Sequence, residues 1–190
     1  MNIGFIGYRN SGKSTIARKV QKSTGKKVIN SDKMIKDFFS LDIPHIIEEY
    51  GWNMFRFVEG LVLDDCRNME NVIFDLGGGT ILNEKAIEGI RENTFMIYLE
   101  CSPETLIHRA NANYYRPALT GLSLEEEIRH VLGKRRDAYE KFADAVINTD
   151  DLSVKECTAK ITGIMQNSDL LLNKKEKIFS GEGILCASII

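Results

Sequence analysis

Nothing in the 190-residue chain approaches the roughly 18 consecutive apolar residues of a membrane span. Its first residues, MNIGFIGYRNSGKS, lack the basic start, long apolar stretch and small-residue cleavage site of a secretory signal, so a soluble, cytoplasmic protein is expected. Cys66, Cys101, Cys157 and Cys186 stand far apart with no C-x-x-C pair. His45, His108 and His130 do not fall at ligand spacing to them or to each other. That pattern argues against a zinc site and a disulfide framework and leaves reduced, packed thiols. Charge of one sign is also scarce: 25 Lys+Arg face 27 Asp+Glu, a net charge of −2, so the whole-chain balance recruits neither nucleic acid nor an anionic membrane. Any basic function must be local.

What is present is an ordinary globular composition, 43% apolar and 27% charged, which excludes global disorder and collagen-like repeats. A chain of this size buries roughly 70% of its unfolded surface and fits one domain. No internal repeat or Pro/Ser-rich linker divides residues 1–166. Residues 167–190, NSDLLLNKKEKIFSGEGILCASII, follow no periodicity. They are expected to be an appended tail, disordered or loosely docked, as termini commonly are. Its apolar end, Gly183 to Ile190, could instead dock on the domain or on a second copy, although a monomer is expected.

Apolar runs of strand length alternate with amphipathic helical segments, the pattern of a parallel sheet covered on both faces. Strands are expected at Asn2–Ile6, Lys27–Asn30, Asn71–Leu76, Thr94–Glu100 and Ala143–Asn148. Helices are expected at Lys13–Ser23, Ser31–Phe39, Ile43–Tyr50, Gly51–Asn68, Asn83–Arg91, Ser102–Asn111, Leu124–Phe142 and Val154–Gln166. Ser102 with Pro103 places proline at a first helical position, while Ser123 with Glu126 and Ser153 with Glu156 fit capping boxes. The fold class is therefore α/β, a three-layer arrangement around a five-stranded parallel sheet.

The strongest chemical signal is Gly7-Tyr8-Arg9-Asn10-Ser11-Gly12-Lys13-Ser14, a G-x-x-x-x-G-K-[ST] string between a strand and a helix, followed by Thr15. Successive backbone N–H groups of such a loop curl around an anion and the helix N-terminus adds partial positive charge. Lys13 reaches the β- and γ-phosphates, and the Ser14 hydroxyl can ligate Mg²⁺. A glycine-rich turn with an exposed lysine is the plainer alternative. The chain has no N-K-x-D, the guanine-specifying string of GTPases, and is shorter than most motor ATPases. A small-molecule or nucleotide kinase using ATP and Mg²⁺ remains.

Three further constellations bear on the acceptor. Ser31-Asp32 follows the second strand, placing a carboxylate at the sheet edge where ligands bind, or else capping a helix. Gly77-Gly78-Gly79 follows the third strand and permits close approach of a ligand, or forms a tight turn. Arg56, Arg109, Arg116 and Arg135 are each commonplace surface charges alone. Together they could supply the guanidinium forks that phosphate and carboxylate recognition favour.

At these residues the chain resembles the shikimate kinases. The matching strings are GYRNSGKST, NSDKMI, Phe55-Arg56 with Glu59, LGGGTIL, YLECSPETLIHR, Tyr115-Arg116-Pro117-Ala118-Leu119, Arg135 with Tyr139, and INTDDLS. The resemblance implies a nucleoside monophosphate kinase-like fold with a lid over about residues 111–124, and phosphorylation of shikimate at its 3-hydroxyl by ATP. Asp32 would orient and deprotonate that hydroxyl. Arg56, Arg135 and the glycines 77–79 would hold the substrate. Arg116 would close over ATP and stabilise the transferring group, and Arg109 would lie against adenine. Another small-molecule kinase, for gluconate or a nucleotide, and a weakened nucleotide- or shikimate-sensing module are the alternatives.

The sequence departs from the family at Asn30, which commonly carries a carboxylate there. It departs again at Asp75, commonly a small residue, and at Asp151-Leu152, where no arginine or glutamine faces the adenine. Val72-Ile73-Phe74-Asp75 reads as an apolar strand ending in a magnesium-side aspartate. The metal-side carboxylate is therefore expected to have moved from position 30 to Asp75, beside Ser14. Hydrogen bonding of Asp75 to the glycine turn is the alternative.

Overall fold

The computed structural model describes residues 1–112 and 121–166. The expected tail, Arg116 and most of the expected lid lie outside the described residues. Five strands form one parallel sheet: β1 (Asn2–Ile6), β2 (Lys27–Asn30), β3 (Val72–Asp75), β4 (Thr94–Glu100) and β5 (Ala145–Asn148), in the order β2-β3-β1-β4-β5. The helices are α1 (Lys13–Thr24), α2 (Ser31–Phe39), α3 (Ile43–Cys66), α4 (Glu84–Arg91), α5 (Pro103–Ala112), α6 (Leu124–Phe142) and α7 (Val154–Gln166).

The period-2 alternation of the strands sorts the core into two layers. Ile3, Phe5, Ile73, Ile97 and Leu99 face α1 and α7, whose Ile16, Val20 and Ile161 close that side. Ile6, Phe74, Met96 and Tyr98 face the other side with Leu63, Ile87, Leu106 and Phe142 from α3, α4, α5 and α6. Each such side chain contributes about 1.5–3 kcal/mol on burial, whereas an exposed pair such as Arg67–Glu92 is screened by solvent and contributes little. The sheet faces therefore hold the strand ends, and with them the loops, in place. A third apolar cluster, Ile35, Ile46, Phe55, Val58 and Val62, joins α2 to α3.

The two helices expected over residues 43–68 are the two arms of α3, divided as expected at Gly51, whose non-helical φ of 78° and ψ of 167° only glycine adopts readily. The third strand starts at Val72, since Asn71 turns the chain with a φ of 57°, and ends at Asp75, one residue before the expected Leu76. An unforeseen 3-10 turn, Thr80–Leu82, tightens the segment after the glycines. Neither Ser31 nor Asp32 caps α2. Asn30 does, its side-chain oxygen accepting from Lys33 N at 2.7 Å, because the last strand residue still has the extended backbone that a cap requires.

Both capping boxes form, Ser123 with Glu126 and Ser153 with Glu156. The bonds from the Ser123 and Ser153 side chains and backbones hold the Glu126 and Glu156 carboxyls below their ordinary range. A carboxyl depressed in the folded state adds stability above its unfolded pKa and loses it as pH falls through the folded value. The melting temperature is therefore expected to stay level from pH 8 to about 5 and to decline below about pH 4, where carboxylates protonate. A decline already complete at pH 6, followed by calorimetry, would contradict this.

Candidate functional site

The end of β1 passes directly into the phosphate loop. Gly7 has a φ of 144°, and a methyl group there would come within 2.7 Å of the Leu99 carbonyl, so the loop can lie against β4 only with glycine at this position. Asn10 and Gly12 also have positive φ, 66° and 97°, and complete the curl that ends at Lys13, the first residue of α1. Lys13 is buried and donates from Nζ to the carbonyls of Gly7 at 2.7 Å and Tyr8 at 2.9 Å, folding back over its own loop. Ser11 is buried with its Oγ unpartnered. A buried hydroxyl left in that state costs about 1–3 kcal/mol, a cost that an anion seated in the loop would remove.

A cavity of about 340 Å³ opens beside this loop, lined by Asn10 to Ile16, Arg109, Thr149, Leu152, Val154 and Cys157. Arg109, from α5, donates to the Thr149 carbonyl at 2.7 Å, to Thr149 Oγ1 at 3.2 Å and to the Ser11 carbonyl at 3.5 Å. It thereby braces the wall after β5 against the phosphate loop. Burial pushes the Cys101 thiol beneath it up to about 11, so a neutral sulfur accepts from Arg109. Asp150 is raised by burial, but the bonds it accepts from Ser102 and its neighbours outweigh this and hold it below the usual range. Together these contacts tie the loop after β5 to the loop after β4.

On the opposite side of the phosphate loop, each of three successive glycines meets one charged side chain. A methyl on Gly77 would fall 2.3 Å from Asp32 Oδ1, and one on Gly79 would fall 2.2 Å from Arg56 Nη2. Arg135 Nη1 donates to the Gly78 carbonyl at 3.0 Å, and the Tyr139 hydroxyl donates to the same oxygen. Burial pushes the Tyr139 phenol up to about 12, which keeps that donor protonated at neutral pH. Arg56 is oriented from behind by Glu59, whose Oε2 accepts from Nη1 at 2.6 Å while its Oε1 accepts from Thr80 Oγ1 at 2.6 Å. The guanidinium lies 5.4 Å from the Trp52 ring centre and 5.2 Å from that of Phe55. Gly77 N donates to Ser31 Oγ at 2.9 Å, which places the start of α2 beside the turn.

Asn30 and Asp75 are paired across β2 and β3, and Asn30 Nδ2 donates to Asp75 Oδ2 at 2.6 Å. This bond, and not one to the glycine turn, engages the Asp75 carboxylate. The amide at position 30 thus serves twice, as acceptor for the α2 cap and as donor to Asp75. A carboxylate at position 30 would instead face a second carboxylate at hydrogen-bond distance. Among the described residues no group of three or more His, Cys, Asp or Glu could hold a metal unaided. Mg²⁺ does not require one, since it is usually held by one or two protein groups together with substrate phosphates.

Of the candidate residues, Asn10 to Thr15 and Arg109 line one cavity, and Gly7 lies at the start of the loop against β4 and the Gly78 turn. Asp32, Arg56, Gly77 to Gly79 and Arg135 gather on the other side of the loop, and Arg116 lies outside the described residues. Sequence reasoning missed Thr80, which shares Glu59, and the pair Arg9–Glu127. It also assigned no binding role to Thr149, Leu152 and Val154. Leu152 and Thr149 stand inside the INTDDLS string and were within reach, whereas Arg9 and Glu127 are 118 residues apart and carry no local signal.

A family model described as shikimate kinase matches residues 9–166. The chain belongs to the shikimate kinase family. It is 31% identical over 160 residues to the shikimate kinase of Thermoanaerobacter pseudethanolicus, covering 84% of this chain and 93% of the relative. It is 32% identical over 160 residues to that of Dehalococcoides mccartyi, covering 84% and 90%. Among solved structures, the shikimate kinase from Acinetobacter baumannii in complex with shikimate superposes with a TM-score of 0.81 at 26% identity, covering 88% of this chain and 93% of that one. The Aquifex aeolicus enzyme gives 0.74 at 28% identity, covering 90% and 99%. A deoxyadenosine kinase from M. mycoides, at 18% identity and a TM-score of 0.57 with coverage of 87% and 99%, shares the fold.

The Gly79 contact generates a direct test. Gly79→Ala must push the Arg56 guanidinium away from its seat between Glu59 and the rings. It is expected to raise KM for shikimate about tenfold, as partial loss of a charge-assisted hydrogen bond worth roughly 1.5–3 kcal/mol implies, with the melting temperature little changed. A KM equal to that of the parent enzyme would dissociate Arg56 from acceptor binding.

Proposed function

We propose that this shikimate kinase transfers the γ-phosphoryl group of ATP to the 3-hydroxyl of shikimate, with Mg²⁺ as cofactor. The observation that supports it is the convergence of Asp32, Arg135 and Arg56 on three successive glycines whose backbone abuts the phosphate loop. A methyl on Gly78 would lie 3.0 Å from Arg9 N, so donor and acceptor loops are in contact. Two guanidinium groups on one side suit a carboxylate-bearing acceptor, while a neutral sugar or a nucleobase has no use for both.

In this mechanism Arg56 and Arg135 hold the shikimate carboxylate and ring, with Gly77, Gly78 and Gly79 presenting backbone beside it. Asp32 accepts a hydrogen bond from the 3-hydroxyl and takes its proton onto the carboxylate as the oxygen attacks the γ-phosphorus and the bond to the β-phosphate oxygen breaks, with ADP as the leaving group. Lys13 exchanges its bonds to the Gly7 and Tyr8 carbonyls for the β- and γ-phosphate oxygens, and the N–H groups of residues 10–15 enclose the phosphates. Arg109 flanks the adenine, and Arg116 closes over the transferring group as the lid excludes water. Ser14 and Asp75 would hold Mg²⁺, which supplies charge neutralisation on the phosphates. Residues 1–166 form the catalytic domain, acting in the cytoplasm as a monomer. Its partners are the two small molecules, with no nucleic acid and no membrane. Among the described residues no helix is long and apolar enough to cross a membrane, and the net charge of −2 holds no excess of positive charge for nucleic acid.

Coupled ADP release measured over a panel of acceptors tests the substrate. Turnover with shikimate and its loss, chiefly through KM, in Arg56→Ala and Arg135→Ala are expected. Robust turnover only with an acceptor that lacks a carboxylate, such as a nucleotide or a neutral sugar, would sink the reading. ATP binding without any turnover would favour a sensing module.

Metal placement is tested separately. Asp75→Asn is expected to raise the Mg²⁺ concentration for half-maximal rate about tenfold and to lower kcat, as loss of a metal-orienting carboxylate does. Asn30→Asp in that background should restore much of both, because it returns one carboxylate to the pair. Unchanged Mg²⁺ dependence in Asp75→Asn would remove Asp75 from the metal site.

A further inference from the structure

One buried charge pair joins the two halves of the site and has no part in the chemistry described above. Arg9, in the phosphate loop, is ion-paired with Glu127 of α6, with side-chain exposures of 11% and 0%. Glu127 lies in the first turn of α6, behind the Ser123 cap. Arg135 and Tyr139 follow it by eight and twelve residues, about 80° and 120° round the helix axis from Glu127. At 1.5 Å per residue, Glu127 and Arg135 are about 12 Å apart along the helix. One end grips the phosphate loop through Arg9. The other grips the Gly78 carbonyl, and Gly78 in turn lies against the Arg9 peptide.

These contacts close a ring: phosphate loop, Arg9, Glu127, α6, Arg135 and Tyr139, Gly78, and back to the phosphate loop. On the phosphoryl-transfer reading above, we infer that Glu127 is a positioning residue. Through Arg9 it sets the separation between the loop that holds the donor phosphates and the turn that holds the acceptor. In-line transfer is sensitive to that separation, since a displacement of about 1 Å can cost on the order of a hundredfold in rate. A buried ion pair is a poor source of net stability, because desolvation of the two charges offsets most of their attraction. Geometry is the better account of why this one joins the phosphate loop to α6.

The test uses the full chain and two readouts. In Glu127→Gln, backbone hydrogen exchange of the unliganded protein is expected to quicken in residues 7–12 and 77–79 together. Kinetics should show kcat lowered about tenfold or more with the ATP dissociation constant altered less than about threefold. Arg9→Met/Glu127→Leu, which leaves no unpaired buried charge, keeps the experiment interpretable if the single variant folds poorly. It should fold and lose no more kcat than a single change, since both remove one strut. Faster exchange confined to the start of α6, a wild-type kcat in either variant, or losses that multiply would overturn the inference. An enzyme inactive on shikimate in its parent form would overturn the substrate reading instead, and the exchange measurement would still decide the role of Glu127.

Discussion

The contact on which the rest of the structure depends is the meeting of two backbones at the carboxyl edge of the sheet. The turn after β3 lies against the phosphate loop after β1 closely enough that Gly78 has no room for a side chain without displacing the Arg9 peptide. β1 and β3 are adjacent, paired from Ile3–Ile73 to Phe5–Asp75, so both loops leave the sheet at the same level. Register is set by the apolar faces, where a slip of one residue would turn Phe5 or Phe74 toward the wrong layer. Packing in the core thus dictates ångström-scale geometry at the loops that leave the sheet.

Around that contact, charge is arranged in matched pairs. Arg56 is held by Glu59, Arg9 by Glu127, and the Asp75 carboxylate by the Asn30 amide. Each pairing orients a group that would otherwise sample several rotamers, and each is shielded from the solvent that weakens exposed pairs. Asn30 shows the constraint most plainly. Once Asp75 occupies the facing position on β3, only a side chain that can both accept from the α2 backbone and donate to a carboxylate satisfies the two neighbours at once.

Local signals were read directly. The strand–loop–helix context of Gly7 to Ser14, the two capping boxes and the alternation of the strands all act over a few residues, where chain geometry and side-chain chemistry are tightly coupled. The acceptor residues were legible only as a pattern of strings, because no local rule distinguishes Arg56 or Arg135 from a solvated charge. The cap of α2 was misplaced by one or two residues for a related reason. Asn30, Ser31 and Asp32 are all good capping types, and which one caps depends on where β2 stops, a matter of pairing with β3.

The sequence by itself determined the βα alternation, the phosphate loop and the family, since periodicity, glycine placement and motif order are properties of the chain. Tertiary structure alone decided which charges meet. Asp32, Arg135 and Arg56 come from three segments spread over more than a hundred residues, yet they converge on consecutive glycines. Arg9 finds Glu127 across 118 positions. Such meetings follow from the order β2-β3-β1-β4-β5 and the path of α6 over it. Local propensity is blind to them, because the free energy that enforces them is buried apolar area elsewhere in the molecule.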